Sequence, residues 1–307
     1  MNNLHLETTS SSSDDVFYIP EPAKTYTYLQ SCSPSVSQLY IKGTYHELVS
    51  DEYRGRRIGI VGTRDATVAG LNDTRRIAQV VSAQDCVVVS GMALGVDGAA
   101  HQGALDVTGS TIAVLGSGVD MIYPSRHTRM AEEILERGCI ISEFDCGVQA
   151  LPWHFPVRNR IIAALSDVLV VPEGTLKGGA RITVDLALAM GKTVCALPGP
   201  RRNRASELPN SIIKDGAVCI TDPADVLREI GIGTEDVGWE LIEPTPTKKA
   251  APNKRTEKML AHLAHGPASA LDIAHLCTYT EREALRLLCS LEQMGLVRYR
   301  RGMYEIT

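Results

Sequence analysis

The feature that most constrains this chain is a repeating pair: a short β-branched apolar run, then a break of glycine, serine, proline or a charged residue. The breaks are Gly62-Thr63-Arg64, Ser90-Gly91, Gly116-Ser117-Gly118, Ser142-Glu143, Pro172-Glu173-Gly174 and Pro198-Gly199. The runs before them, such as Val87-Val88-Val89 and Thr111-Ile112-Ala113-Val114-Leu115, carry no polar alternation, as befits strands buried on both faces. Between them, residues 67–83, 95–107, 125–137, 159–165 and 181–190 have helical spacing. Strand and helix in strict alternation predict an α/β domain, a Rossmann-like doubly wound parallel sheet with right-handed crossovers. In such sheets ligands bind beyond the carboxyl ends of the strands, and all six breaks fall there.

The stretch Val87–His101 sharpens that expectation. A strand, a turn at Ser90-Gly91, a second glycine at Gly95 and a helix start together offer outward N–H groups and partial positive charge to a phosphate. The spacing is neither a Walker A loop nor GxGxxG, and glycines of this kind also serve tight helix–strand packing. Asp97 and His101 lie one helical turn apart and read as a helix-start carboxylate and a histidine bonded to it or to the backbone. No serine-nucleophile elbow and no His/Cys cluster at metal spacing is present, so no catalytic set, metal or cofactor is expected.

The formal charge of −5 over 307 residues excludes a uniformly basic coat but leaves room for a local basic groove. The eight cysteines form no CxxC pair, and several fall in apolar runs. Reduced thiols and a cytoplasmic location follow. Neither a signal peptide nor a membrane span is evident.

Four segments are expected. Residues 1–37 are polar and read as an arm, 38–231 form the sheet domain, and 232–253, rich in Gly, Glu, Pro and Thr, read as a linker. Residues 254–307 read as three helices and a hairpin, a winged-helix domain. Its third helix mixes Arg282 and Arg286 with Glu281, Glu283 and Glu292, while the hairpin carries Arg298, Arg300 and Arg301. That balance favours protein docking over groove reading.

Taken in order, several segments between Leu39 and Ala217 resemble the DprA/Smf family of DNA-processing proteins, recombination mediators acting on single-stranded DNA. They are Gly62-Thr63-Arg64, Ser90-Gly91-x-Ala93-x-Gly95-Val96-Asp97, the run from Thr111 through Gly116-Ser117-Gly118 to Tyr123-Pro124, Phe155-Pro156-Val157-Arg158-Asn159-Arg160, Pro198-Gly199 and Asn210–Ala217. The resemblance implies a homodimer that coats single-stranded DNA, displaces single-strand-binding protein and loads the RecA recombinase. Strand binding needs cations for phosphates and flat groups for bases. The expected contacts are Arg64, Ser90, Gly91, Gly95, Gly116, Gly118, Arg126, Arg129, Phe155, Arg158, Arg160, Lys177 and Arg181, with Phe155 as the stacking ring. The chain departs from the family pattern at Lys177-Gly178-Gly179-Ala180-Arg181, where two hydroxyls are lost and a cation gained, and at Leu151-Pro152-Trp153-His154, where some members carry a lysine. Two rivals remain. One is a phosphoribohydrolase-like nucleotide hydrolase, faintly echoed in Pro172-Glu173-Gly174-Thr175; the other is a winged-helix regulator with a ligand-sensing sheet.

Overall fold

The computed structural model describes residues 7–8, 16–43, 45–242 and most of 254–306. The chain forms two compact units, Met1–Thr245 and Pro246–Thr307.

The first unit is built on a ten-stranded sheet. Its strands are β1 (Glu7–Thr8), β2 (Val16–Pro20), β3 (Gln38–Lys42), β4 (Arg57–Ile60), β5 (Val87–Ser90), β6 (Thr111–Val114), β7 (Cys139–Ser142), β8 (Val168–Val171), β9 (Thr193–Ala196) and β10 (Val218–Cys219). They lie in the order β1-β2-β3-β7-β6-β5-β4-β8-β9-β10. From β7 to β10 all neighbours pair in parallel, as the alternation of strands and helices predicts. The chain runs outward from β4 to β7, then returns to lay β8 on the other side of β4. The crevice above β4 and β8 is therefore the topological switch point.

Side chains alternate across the sheet with period two, which is why runs with no polar residue are needed. Val87, Val89, Leu169 and Val171 face one core, shared with Ile161 and Val184. These two belong to helices α5 (His154–Leu165) and α6 (Gly179–Ala189). Val88, Ile58, Ile60 and Val170 face the other, against Ile77, Val81, Ala100 and Ala104, carried by α2 (Val68–Ser82) and α3 (Val96–Asp106). Each such Val or Ile taken fully out of water contributes about 1.5–3 kcal/mol. Helix α4 (Thr128–Arg137) adds Ala131 and Ile134 to a smaller cluster with Ala113 and Ile140, and the short helices α1 (Pro22–Thr25), α7 (Glu207–Lys214) and α8 (Ala224–Glu229) complete the unit.

Two expected boundaries are corrected. Residues 16–37 are no loose arm: β2 pairs antiparallel with β3, and β3 with β7 through Tyr40↔Ser142. The sheet is consequently mixed at this edge. Tyr26, Leu29 and Val36 are buried in the same core as Val89 and Ile141. Their sparse apolar positions are hidden by polar neighbours, which is why composition alone reads as a tail. The expected linker also begins too early, because residues 236–242 are strapped onto α2. Arg76 donates to Val237 O at 2.7 Å and Gly238 O at 2.9 Å. Asp222 accepts from the amides of the same two residues. Gln79 pairs with both backbone groups of Ile242 at 2.8 Å.

The second unit contains α9 (Lys254–Leu263), α10 (Ala270–Cys277) and the antiparallel hairpin β11 (Val297–Arg300) with β12 (Met303–Ile306). Ser269 and Asp272 form a reciprocal capping box at the start of α10, at 3.0 and 3.1 Å. Met259, Ile273, Cys277, Leu288, Val297 and Tyr304 share its core. The expected third helix, 281–294, lies mostly outside the described residues, as does Arg301. Arg298 pairs with Glu305 across the hairpin at 2.8 Å, and Arg300 is exposed.

Candidate nucleic-acid interface

Three loops meet at the switch point because glycine lets their backbones touch. Gly95 has φ +79°, and a Cβ there would stand 2.3 Å from Thr63 O and 2.7 Å from Arg64 O. Only glycine brings the loop after β5 against the Gly62-Thr63-Arg64 turn. The turn is fixed by Val96 N donating to Thr63 O at 3.2 Å and Thr63 N to Glu173 O at 2.9 Å. The Glu173 carboxylate accepts from Thr67 N and Thr67 Oγ1 at 2.8 and 2.7 Å, while Thr67 Oγ1 caps α2 through Gly70 N. The β5 loop is gripped from both sides. Asp97 accepts from Ala93 N at 3.3 Å, and Arg158 donates to Gly91 O at 2.7 Å and to Val114 O.

Above these loops opens a cleft of 350 Å³, walled by Thr63 and Arg64, by Gly174, Thr175, Gly178 and Gly179 before and at the start of α6, and by Phe155 and Asn159 of α5. A second depression of 320 Å³ shares Arg64, Phe155, Asn159 and Gly179 and adds Tyr123. The exposed guanidinium of Arg64 sits over the Phe155 ring at 4.9 Å, and Tyr123 leans on the same ring at 5.8 Å between centroids. A half-exposed ring flanked by a cation and a second ring is a platform for a base beside a phosphate.

Electrostatics at the cleft floor are tightly paired. Burial raises the Asp97 carboxyl above its usual range, opposed by Arg158 and the Ala93 amide. Burial lowers the Arg158 guanidinium to about 10, with Asp97 opposing.

The expected contact residues divide. Arg64 and Phe155 stand at the cleft mouth. Arg126 is exposed in the turn Ser125–His127, Lys177 is exposed just before α6, and Arg129 and Arg181 are held in helical i,i+4 pairs with Glu133 and Asp185. Gly91, Gly95 and Gly118 are positions where close approach, rather than an open surface, leaves no room for a Cβ, and Gly116 is a tight one. At Gly116 a Cβ would meet Phe155 at 3.2 Å, and at Gly118 it would meet Asp145 O at 2.5 Å. Three expected contacts are corrected. Ser90 is buried, its hydroxyl spent on Ile60 O at 2.6 Å to tie β5 to β4. Arg158 and Arg160 are each 3% exposed. Arg160 is paired bidentately with Glu143 at 2.5 and 2.7 Å, and also donates to Pro34 O and Val157 O. From Arg158 onward α5 is buried all round, so any arginine there must find its acceptors inside the protein.

Residues 18–231 match the family model of DNA recombination-mediator protein A. The chain belongs to this family. It is 38% identical to protein Smf of Escherichia coli over 221 residues, covering 72% of this chain and 56% of that protein. It is 34% identical to a putative DNA processing protein DprA of Mycobacterium tuberculosis over 258 residues, 83% of this chain and 66% of the other. The chain thus spans less than two thirds of these relatives' length. Among solved structures, DprA from Streptococcus pneumoniae superposes with a TM-score of 0.64 at 32% identity, over 71% of this chain and 75% of that one. DprA from Helicobacter pylori, described for its single-stranded DNA binding mode, gives 0.61 at 27% identity, over 74% and 96%.

In this DprA/Smf member, several residues of the same edge lie outside the expected set of contacts. Tyr123 and Trp153 are exposed, 49% and 63%, near the Phe155 platform. Both are adjacent to proline in sequence, a signal of a ring held out on a turn. Arg201, Arg202 and Arg204 follow the carboxyl end of β9 and are exposed. Their spacing right after Pro198-Gly199 was a legible cationic signal. Asn159 is also part of the cleft wall, donating to Gly179 O at 3.3 Å.

Proposed function

We propose that this protein binds single-stranded DNA along the carboxyl edge of its sheet and acts as a recombination mediator, protecting the strand and loading RecA recombinase onto it. The observation that carries the reading is the Arg64–Phe155–Tyr123 platform at the mouth of the switch-point cleft. Exposed Arg126, Lys177, Arg201, Arg202 and Arg204 lie at the same strand ends and supply backbone charge on a chain of net charge −5. Homodimerisation, contact with single-strand-binding protein and protein docking by the C-terminal unit belong to the same proposal. So do a role as binder rather than enzyme and a cytoplasmic setting. Among the described residues no helix is long and apolar enough to cross a membrane. The hydrolase alternative is disfavoured by its own acids: Glu173 is spent on the start of α2, and Asp185 on Arg181.

The test is fluorescence anisotropy with a labelled poly-dT oligonucleotide across a salt series, for wild type and Arg64→Ala. Each phosphate neutralised contributes about −0.7 to the slope of log K against log salt for single strands. Wild type should bind with a steep slope, and Arg64→Ala should bind more weakly with a slope shallower by about 0.7. Absence of wild-type binding at low salt would overturn the proposal. If strand binding holds, RecA filament assembly on strands coated with single-strand-binding protein tests the mediator step.

A further inference from the structure

Arg64 lines three depressions, and two of them make up the cleft at Phe155. The third measures 450 Å³, lies between α2, α3 and the turn Ser125–His127, and shares only Arg64 with the other two. Its walls carry no Phe, Tyr or Trp, so polar side chains must do the holding. Phosphate is a poor match for them. The α3 amides of Val96, Gly98 and Ala99 are spent on Thr63 O, Ala93 O and Gly95 O, and Arg75 is paired with Asp106. Asp65 adds a carboxylate to the wall. The groups left over are mostly acceptors. His127 Nδ1 lies 2.8 Å from Met92 O, a carbonyl that can only accept, so in the neutral imidazole Nδ1 carries the proton and Nε2 is a lone pair with no partner among the described residues. Gln102 donates its amide to Asp106 at 3.1 Å, which leaves its Oε1 to accept. Asn72 is exposed, and its side chain makes no hydrogen bond among the described residues.

We propose that this depression is a second nucleotide subsite, selective for adenine, which receives a neighbour of the base on Phe155 as the strand passes over Arg64. The proposal rests on the strand-binding reading and adds base choice to it. Arg64 belongs to the walls of both sites, so a backbone held by its guanidinium can deliver one nucleotide to each. Stacking on Phe155 accepts any base, since every base has a π-face. The second subsite selects by hydrogen bonds instead. Adenine presents its N6 amine as donor and N7 as acceptor, a pattern that a carboxamide such as Asn72 meets with two bonds. The second hydrogen of the amine falls among acceptors: Gln102 Oε1, His127 Nε2 and the Asp65 carboxylate. Thymine turns carbonyl oxygens toward those same acceptors and gains nothing there. A site built to hydrogen-bond a group rejects the analogue that lacks it.

The experiment is fluorescence anisotropy of the full chain with three labelled strands. One is oligo-dT, one is the same strand with a single central deoxyadenosine, and one carries purine deoxyriboside there, which lacks only the 6-amine of adenine. Wild type should bind the deoxyadenosine strand about fivefold or more tightly than either of the others, the low end of what one bidentate pair supplies. Asn72→Ala should bring that ratio below about twofold at an unchanged melting temperature, since the side chain is exposed and bonded to nothing in the protein. Phe155→Ala should weaken all three strands together and keep the ratio. Equal affinity for the three strands, purine deoxyriboside bound as tightly as deoxyadenosine, or a preference that survives Asn72→Ala would each overturn the proposal. So would a preference lost in Phe155→Ala and kept in Asn72→Ala, which would place base choice on the ring. The two readings fail separately. Tight binding of oligo-dT with no preference overturns the second subsite alone, whereas failure of every strand to bind overturns the strand-binding reading and this one with it.

Discussion

Arg160 offers the sharpest test of how the arginines divide. In sequence it stands in the Phe-Pro-x-Arg-Asn-Arg motif, where a strand contact is expected. In the fold its side chain is 4% exposed and forms a two-pronged pair with Glu143, itself 11% exposed. It also donates to Pro34 O at 2.8 Å, holding the end of the N-terminal segment against α5. Replacing it with alanine leaves the Glu143 carboxylate buried without its counter-charge and strands the carbonyls of Pro34 and Val157. Removing one partner of a buried pair costs about 3–5 kcal/mol. For a unit of this size each kcal/mol lowers the melting temperature by about 2–4 °C, so Arg160→Ala should melt about 6–20 °C below wild type. Glu143→Gln provides the opposing arm. If Arg160 were a strand contact, neutralising the neighbouring acid would strengthen DNA binding and leave stability alone. The buried pair predicts that Glu143→Gln lowers stability and leaves strand affinity of the folded protein unchanged. Differential scanning fluorimetry and anisotropy on the same preparations decide between them. Melting within 2 °C of wild type for Arg160→Ala, together with lost DNA affinity, would refute the structural assignment of this arginine.

Three further outcomes are expected. Phe155→Ala should weaken binding to oligo-dT roughly tenfold, in keeping with about 1–3 kcal/mol per stacked base, without changing the salt slope; an altered slope would mean that the ring positions a cation instead. His101 is fully buried, and because Thr111 Oγ1 donates to Val88 O at 2.8 Å it accepts from His101 Nδ1 at 2.7 Å, leaving Nε2 as a bare lone pair. Burial, helped by His127 and Arg158, lowers its pKa to about 3. Its stabilising contribution is therefore complete above the unfolded value near 6.5 and falls away with acid. It should cost about 2 kcal/mol at pH 5 relative to pH 8, a slope absent in His101→Asn when unfolding is followed by urea titration. Gln79→Ala should release the strap, read as faster hydrogen exchange at Ile242 while the amides of β5 stay protected; unchanged exchange at Ile242 would show that Arg76 and Asp222 hold the segment alone.

What the sequence made legible was whatever depends on periodicity. The parallel strands are runs whose every residue is buried, and such runs admit few other fates, so their order along the chain and the edge that carries the loops could be inferred directly. Pairing partners for isolated residues could not. Nothing local marks Leu29 or Val36 as core, because the surfaces that bury them come from β3 and α5, more than a hundred positions away in the second case. The strap on α2 is of the same kind: Gln79 and Arg76 recognise backbone groups of residues 237–242, and backbone groups leave no trace in composition. The arginines are the instructive case, since the signal was present and outweighed by the motif. The stretch Ile161-Ile162-Ala163-Ala164-Leu165 has no polar face, so the helix that continues it must be central, and an arginine in its body must be neutralised from within. Arg64, Arg201 and Arg202, by contrast, sit in turns after strand ends, where a long cationic side chain reaches water at no cost to packing. A cation's place relative to the helix axis, more than its place in a motif, decides whether it can meet a phosphate.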